Sequence, residues 1–172
     1  LTGIEETEKY FRQSKAETIG APVRKEFFEI PIKKHTEPFM ILVTGGSQGA
    51  RTLNRAVGEA VQLWARNGAS KSLRILHQAG KADAGRLQLE YASVRSGSVQ
   101  AEAVEFLDDM PAAFAQADVV ISRAGASTVA ELCAAGRASI LIPYPHAADD
   151  HQTRNAEALA AAGGATVVGD AE

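Results

Sequence analysis

The sequence predicts an α/β protein built on a doubly wound, parallel sheet. Short β-type runs alternate with helical patterns along almost the whole chain, and the connections between them are short. One run, Phe39–Thr44 (FMILVT), is continuously apolar, which is typical of a strand buried on both faces. This alternation favours parallel strands joined by right-handed crossovers, with helices on both faces of the sheet.

The strands are predicted from apolar or alternating runs that end at glycine, proline or polar residues. The predicted strands are Glu17–Gly20 (a possible short strand), Phe39–Thr44, Leu73–His77, Val99–Phe106, Asp118–Ser122, Ser139–Pro143 and Ala165–Val168.

The helices are predicted from apolar residues that recur at helical spacing. In the clearest case Leu53, Val57, Ala60, Val61 and Trp64 share one stripe, and Asn67-Gly68 ends the pattern. A second helix is expected to be amphipathic through Leu87, Leu89 and Tyr91. The predicted helices are Ala50–Asn67, Lys81–Ser93, Pro111–Gln116, Ser127–Ala135 and His151–Ala162. The charged and aromatic segment Arg24–Pro38 is expected to lie on the surface.

Composition excludes several classes of protein. The chain has 172 residues and a net charge of −3, so no overall basic field indicates nucleic-acid binding. Its single cysteine, Cys133, rules out a disulfide framework within the chain. Apolar runs such as Ile140–Pro143 are too short to cross a bilayer, and the polar, acidic first residues do not form a signal peptide.

In a doubly wound sheet, ligands bind at the carboxyl ends of the strands. The first loop at that edge contains Gly45, Gly46, Ser47 and Gly49. It is neither a Walker A loop nor a G-x-G-x-x-G fingerprint. Its glycines and the following helix N-terminus favour contact with a phosphate or a sugar, and the alternative is a tight turn that binds no ligand.

A second loop has two interpretations. Thr128 and Glu131 fit a capping box that only starts the helix. Alternatively, amides around Ala126–Val129 bind a diphosphate and Glu131 accepts hydrogen bonds from a ribose diol. Arg123 either adds charge to that site or pairs with a neighbouring acid.

The stretch 143–156 is rich in polar residues. His146, Asp149, Asp150, His151 and Gln152 suit hydrogen bonds to sugar hydroxyls better than a metal site, and a helix N-terminus stocked with acids is the remaining alternative. Asn155 is expected to face either a ligand or solvent. Phe106 either covers a base or belongs to the core.

Six segments together resemble the MurG family of bacterial N-acetylglucosamine transferases, over about residues 17–168. They are IGAPVR (19–24), GGSQGAR followed by LN (45–54), the long run FLDDMPAAFAQADVVISRAGASTVAEL (106–132), AAG (134–136), IPYPH (142–146) and DHQTRNA (150–156). The resemblance implies the C-terminal half of a GT-B glycosyltransferase, with a Rossmann-like, doubly wound parallel sheet. Residues 1–172 would form the donor-binding domain, with 1–16 as a leading interdomain segment.

The resemblance also implies a set of donor contacts and no metal or other cofactor. Arg24 and Ser47 would contact the nucleotide and diphosphate, Leu107 would offer backbone contacts to uracil, Glu131 would hold the ribose, and Gln152 would contact the sugar. The residues implied to lie along the phosphates are Ala126, Ser127, Thr128, Val129 and Ala130.

The implied reaction moves N-acetylglucosamine from UDP-N-acetylglucosamine to the muramyl 4-hydroxyl of lipid I, giving lipid II. Lipid I and the membrane would be contacted through an N-terminal domain that this chain does not contain, at the cytoplasmic face of the plasma membrane. We therefore assign no catalytic base to this chain. Another GT-B transferase that uses a UDP-sugar, such as a glycolipid synthase, and a non-enzymatic nucleotide-binding module are the alternatives.

Overall fold

A computed structural model describes residues 20–68, 71–94 and 97–170. The helices are α1 (Lys25–Phe28), α2 (Arg51–Asn67), α3 (Ala84–Ala92), α4 (Met110–Gln116), α5 (Ala126–Ala135) and α6 (His151–Ala161), with a 3₁₀ turn over Ala148–Asp150. The strands are β1 (Phe39–Thr44), β2 (Leu73–Gln78), β3 (Val99–Val104), β4 (Val119–Ser122), β5 (Ser139–Leu141) and β6 (Ala165–Val167). Apart from Gly20, the possible strand Glu17–Gly20 lies outside the described residues, as does the leading segment 1–16.

The strands form one parallel sheet in the order β3-β2-β1-β4-β5-β6, which confirms the predicted fold class. The order reverses between β1 and β4, where Thr44 lies beside Ser122. Ligands of doubly wound sheets bind at such a reversal, outside the carboxyl ends of the strands. The loops after β1 and β4 therefore lie where a ligand is expected.

The helices cover both faces of the sheet, as predicted. On one face, α2 and α3 pack through Leu53, Val57, Val61 and Leu87 against β1, β2 and β3. On the other face, the remaining helices form a second core around Leu42, Phe114 and Leu132. None of the helices in the described ranges combines the length and the apolar character that a membrane span needs.

Helix α3 differs from its prediction in length and in its buried face. It begins at Ala84 because residues 81–83 form a turn after Gly80. Leu87 and Tyr91 are buried, but Leu89 is 75% exposed. Residues four apart share one side of a helix, whereas a residue two positions away points to the opposite side.

Most residues of Arg24–Pro38 are exposed, as expected, but Phe27 anchors the segment to the core. Phe27 is fully buried and packs edge-to-face on Phe114, with 5.1 Å between the ring centroids. The buried guanidinium of Arg137 donates to the carbonyls of Pro31 (3.0 Å) and Phe114 (2.8 Å), among others. These contacts bind the segment to α4 and α5.

The loops that follow β1 and β2 touch each other backbone to backbone. A Cβ atom on Gly49 would lie 2.8 Å from the carbonyl carbon of Ala79, and one on Gly80 would lie 2.7 Å from the amide nitrogen of Gly49. Both glycines also have left-handed φ angles, +76° and +79°. A side chain at either position would therefore push the two loops apart.

At the opposite edge of the sheet, Asp118 joins the start of β4 to β1. Its Oδ2 accepts a hydrogen bond from the Met40 amide (2.7 Å) and pairs with Lys33 Nζ (3.1 Å), and its Oδ1 lies 3.4 Å from His35 Nδ1. Burial raises the pKa of Asp118, but the hydrogen bonds from Met40, Lys33 and His35 outweigh burial and lower the pKa below its ordinary value.

We expect Gly80→Ala to lower the free energy of unfolding by several kcal/mol, well above the cost of a left-handed φ angle alone, which is about 1 kcal/mol. The control is Gly136→Ala, because Gly136 also has a positive φ angle but no atom within 4 Å of a built Cβ. Urea unfolding of both variants measures the difference. Equal losses would show that the contact between the loops does not constrain the fold.

We expect Asp118→Asn to lower the free energy of unfolding by about 1–3 kcal/mol at pH 7. The folded-state pKa lies below the ordinary 3.8, so the carboxylate stabilises the fold above that pH and loses this effect as the pH falls through the folded-state pKa. The difference between wild type and variant should therefore shrink below about pH 4. Urea unfolding across a pH series checks this, with Glu102→Gln on β3 as the exposed control. A difference that stays constant down to pH 2 would contradict the role of the charge.

Candidate binding site at the carboxyl edge of the sheet

Two adjoining cavities open at the reversal of strand order. The larger, of about 720 Å³, lies among the loops after β1, β4 and β5. The smaller, of about 350 Å³, lies among the loops after β1 and β3 and the first turns of α5. Both are lined by Gly46, Ser47 and Thr128, so together they form one continuous cleft. Their sizes are typical of ligand sites.

The N-terminus of α5 lies at this cleft, where Gly125, Ser127 and Thr128 line the larger cavity. The helix begins after Gly125, and no side chain caps it, so the capping-box interpretation of Thr128 and Glu131 is wrong. The Val129 amide donates to the Gly125 carbonyl at 3.0 Å, as in a regular helix. The three amides before it, Ala126 to Thr128, have no partner within the helix and carry the positive end of its dipole.

Glu131 lies one turn further along α5 and lines the smaller cavity together with Arg24. Burial raises the pKa of the Glu131 carboxyl, and the charge of Arg24 partly opposes this effect. Arg24 is itself placed over the Phe27 ring, 5.2 Å from its centroid. Because the Glu131 carboxylate caps no helix, it is available to a ligand at the wall of the smaller cavity.

The buried side chain of Gln78 joins the loops after β1 and β3. Its Nε2 donates to Thr44 Oγ1 (3.2 Å) and to the Gly46 carbonyl (3.0 Å), and its Oε1 accepts from the Leu107 amide (2.8 Å). The Leu107 amide is therefore already used within the protein. Of the two backbone groups predicted to contact uracil, this leaves the Leu107 carbonyl.

A buried network supports the same loops from β2. His77 Nδ1 lies 2.8 Å from the Tyr91 hydroxyl, and its Nε2 lies 3.0 Å from Asn54 Oδ1. The side-chain Nδ2 of Asn54 donates to the Ala79 carbonyl (2.8 Å) and to Asp83 (2.9 Å). Asn54 Oδ1 is a carbonyl oxygen and can only accept, so His77 Nε2 is the donor in the bond between them. Burial lowers the pKa of His77 to about 4, which keeps the ring neutral. The unprotonated Nδ1 can then accept a hydrogen bond from the Tyr91 hydroxyl.

The structure settles the alternatives for Arg123. Its guanidinium pairs with Asp170 at 2.8 Å and donates to Thr52 Oγ1 (2.7 Å) and to the carbonyls of Ile142 and Pro143 (both 3.1 Å). Arg123 thus pairs with a neighbouring acid and holds the loop after β5, and its charge is compensated inside the protein.

Helix α6 holds the loop after β4 through two amide side chains. Gln152 Oε1 accepts from the backbone amides of Ala124 (3.2 Å) and Tyr144 (3.0 Å), and Asn155 Nδ2 donates to the Ala124 carbonyl (3.0 Å). The expectation that Asn155 faces ligand or solvent is wrong, because its side chain is buried. Gln152 also lines the larger cavity and keeps its Nε2 protons outside these bonds.

The polar stretch before α6 does not assemble a metal site. Within the described ranges no group of three histidine, cysteine or acidic residues could hold a metal ion. Asp149 and Asp150 both have left-handed φ angles, 51° and 53°, and Thr153 Oγ1 donates to Asp150 at 2.6 Å. His146 lines the larger cavity beside Tyr144, with 5.6 Å between the ring centroids.

Most of the predicted residues line the cleft, and a few do not. The smaller cavity gathers Arg24, Ser47, Leu107, Thr128 and Glu131, and the larger one gathers Ser47, Ser127, Thr128 and Gln152. Ala126, Val129 and Ala130 line neither cavity. Strand β3 ends at Val104, so Phe106 is 56% exposed at the smaller cavity, and the alternative that it belongs to the core is wrong.

Sequence reasoning missed Thr52, Gln78, Tyr144 and Asp170, which all line the cleft. For Gln78 a signal existed, since His77 and Gln78 are polar residues that directly follow the apolar pair Ile75 and Leu76 at the end of β2. For Asp170 no local pattern predicts its partner Arg123, because the two are far apart in sequence.

A parallel sheet in this order, with a glycine loop and free helix amides at the reversal, is the architecture of nucleotide-binding domains. The profile of the glycosyltransferase family 28 C-terminal domain matches residues 40–172. The chain belongs to this family.

Two curated relatives carry the same name. A protein from Solibacter usitatus (strain Ellin6076), named UDP-N-acetylglucosamine–N-acetylmuramyl-(pentapeptide) pyrophosphoryl-undecaprenol N-acetylglucosamine transferase, is 48% identical over 172 residues, which is 100% of this chain and 46% of the relative. A protein of the same name from Myxococcus xanthus (strain DK1622) is 44% identical over 171 residues, 98% of this chain and 43% of the relative. The crystal structure of Acinetobacter baumannii MurG superposes with a TM-score of 0.71 and 35% identity, over 87% of this chain and 40% of that one. The chain thus spans less than half the length of these relatives.

We expect Gln78→Leu to loosen the loops after β1 and β3 together. The variant leaves the Leu107 amide and the Gly46 carbonyl without their partner, at a cost of about 1–3 kcal/mol. Hydrogen exchange in the native state should be faster at Leu107, and urea unfolding should show the loss of stability. Gln88→Leu, at an exposed position of α3, is the control. Unchanged exchange at Leu107 would mean that Gln78 does not order that loop.

Proposed function

We propose that this chain is the donor-binding domain of a transferase that moves N-acetylglucosamine from UDP-N-acetylglucosamine to lipid I and gives lipid II. The relatives' shared name supports this donor and this acceptor. The observation that carries the proposal is the pair of adjoining cavities, which offer a carboxylate at one end, free helix amides in the middle and an amide side chain at the other end.

The smaller cavity suits the nucleoside. Glu131 can accept hydrogen bonds from both hydroxyls of a ribose, because a carboxylate has two acceptor oxygens. The Leu107 carbonyl can accept a hydrogen bond from the uracil N–H. The Leu107 amide is not available for this contact, because it donates to Gln78 Oε1. The exposed ring of Phe106 can cover the base, and Arg24 supplies a cation beside the nucleotide.

The region shared by the two cavities suits the diphosphate. Ser47 offers a hydroxyl there, and the free amides at the start of α5 offer fixed donors with the positive end of a helix dipole. As the bond to the sugar breaks, negative charge grows on the UDP that leaves. Preorganised amides stabilise such charge without a metal ion.

The larger cavity suits the sugar. Gln152 Oε1 is held by two backbone amides, so its Nε2 group is fixed as a donor to a sugar hydroxyl or carbonyl. Tyr144 and His146 line the same cavity. In the proposed reaction the acceptor hydroxyl oxygen bonds to the anomeric carbon on the face opposite UDP, the bond between that carbon and the UDP oxygen breaks, and the configuration inverts. The hydroxyl proton passes to a base of the N-terminal domain.

The acceptor in the relatives' name carries an undecaprenyl chain. We infer that the complete protein works peripherally at the cytoplasmic face of the plasma membrane. Contact with lipid I and with the membrane would be made through an N-terminal domain. The role proposed for this chain is to bind and orient the donor.

We expect calorimetric titration to show tighter binding of UDP-N-acetylglucosamine than of UDP-glucose or UDP-galactose. Glu131→Ala should weaken the binding of UDP-N-acetylglucosamine at least tenfold, about 1.4 kcal/mol, because it removes the ribose acceptor. The control is Glu157→Ala, an exposed carboxylate on α6 that lines neither cavity. Preferential binding of UDP-glucose or UDP-galactose would favour another UDP-sugar transferase.

The raised pKa of Glu131 gives this test a pH dependence. The carboxylate takes up its proton at a higher pH than an ordinary glutamate, and a protonated acid accepts the diol poorly. As the pH is lowered, donor affinity should therefore start to decrease while the pH is still above about 4.3, the pKa of an ordinary glutamate. Glu131→Gln should bind weakly without this fall, and an equal fall in both proteins would exclude Glu131 as its cause.

A further inference from the structure

The side-chain amide of Gln78 lies at the wall of the smaller cavity and has only one possible orientation. Gln78 is 2% exposed, and both ends of its amide are used within the protein. Nε2 donates to Thr44 Oγ1 and to the Gly46 carbonyl, and Oε1 accepts from the Leu107 amide. If the two ends were exchanged, two donors would meet at Leu107 and two acceptors would meet at Gly46.

This orientation determines what the Thr44 hydroxyl can do. Thr44 Oγ1 accepts from the Gly46 amide and from Gln78 Nε2, both at 3.2 Å, and these bonds use both of its lone pairs. They are the only hydrogen bonds of this hydroxyl to residues in the described ranges, so its proton remains to be donated. Thr44 lines the smaller cavity. Toward a ligand in that cavity, the Thr44 hydroxyl is therefore a donor.

The same amide determines what Leu107 can do. Because the Leu107 amide donates to Gln78 Oε1, the backbone group that Leu107 can offer to a ligand is its carbonyl, which is an acceptor. Gln78 thus sets a donor at Thr44 and an acceptor at Leu107, and both residues line one cavity. Reversing either group would leave buried polar atoms without a partner, which costs about 1–3 kcal/mol for each atom.

This arrangement of donor and acceptor matches the edge of uracil and opposes the edge of cytosine. Uracil has an N3–H donor beside the O4 acceptor, so N3–H can bind the Leu107 carbonyl while O4 accepts from Thr44. Cytosine has an acceptor at N3 and an amino donor at N4. It would place acceptor against acceptor at Leu107 and donor against donor at Thr44. A site that leaves its polar groups unpaired in this way rejects the analogue strongly.

We propose that Gln78 is a positioning residue that makes the smaller cavity select uracil over cytosine. It acts through the Thr44 hydroxyl and the Leu107 carbonyl, which would contact the base. The choice of uracil rests on the proposed function, which puts the nucleoside in this cavity.

The experiment measures the dissociation constants of UDP and CDP with the full chain by calorimetric titration. Wild type should bind UDP at least about tenfold more tightly than CDP. Gln78→Met should reduce this ratio to about threefold or less, because a thioether does not occupy the Leu107 amide, which can then donate to cytosine N3. The control is Gln88→Met, the same change at an exposed position of α3, which should leave the ratio unchanged.

Two further variants separate base selection from stability. Thr44→Val keeps the shape of the side chain and removes its hydroxyl, so it should weaken the binding of UDP more than that of CDP. Glu131→Ala should weaken both nucleotides equally, since they share the ribose. A smaller folded fraction also lowers both affinities equally, so the ratio within one variant reports on the base alone.

A UDP-to-CDP ratio in Gln78→Met equal to that of wild type would overturn the inference, because Gln78 would then only support the fold. Should Gln78→Met not fold, the ratio in Thr44→Val decides in the same way. Either failure leaves the proposed function standing if wild type still prefers UDP-N-acetylglucosamine among the UDP-sugars. If wild type binds neither UDP nor UDP-N-acetylglucosamine, the proposed function fails, and the selection of uracil fails with it.

Discussion

At Gly49 and Gly80 two backbones lie so close that neither residue has room for a Cβ atom. The glycine loop after β1 is held in place by this contact, together with the hydrogen bonds of Gly46 to the side chains of Gln78 and Thr44. Asn54 fixes the Ala79 carbonyl on the other side of the contact, and neutral His77 fixes Asn54. The cleft therefore depends on a buried polar network with fixed donors and acceptors. Tyr91 donates to His77, His77 donates to Asn54, and Asn54 donates to the Ala79 carbonyl.

Arg123 lines the larger cavity, but it serves the fold, because Asp170 compensates its charge. The cations Arg24 and Arg51 each line only one of the two cavities. The residues that line both cavities are Gly46, Ser47 and Thr128, so the groups that face the proposed diphosphate there are neutral donors. Such donors need no rearrangement when charge develops on a leaving group, whereas a flexible cation would first have to be ordered.

The fold was predictable because its information is local. The continuous apolar run of β1 and the stripe of α2 each identify their element without knowledge of any partner. The cleft was predictable in part, since glycines and hydroxyl residues after strands mark a ligand edge. The failures concern partners distant in sequence: Asp170 of Arg123, Ala124 of Asn155, and Phe114 of Phe27. The capping box failed because the helix begins at Ala126, one turn before the pattern required.

The Gln152 side chain connects the cavity proposed for the sugar with the loop that leads to the proposed diphosphate site. Its Oε1 holds the Ala124 amide, which directly precedes the turn into α5, and the same side chain lines the cavity proposed for the sugar. A sugar that binds the Nε2 group therefore acts on the residue that positions the diphosphate amides. Because Asn155 holds the Ala124 carbonyl from the same helix, this turn is fixed on both sides. Correct placement of the sugar and stabilisation of the departing diphosphate are thus expected to rise and fall together.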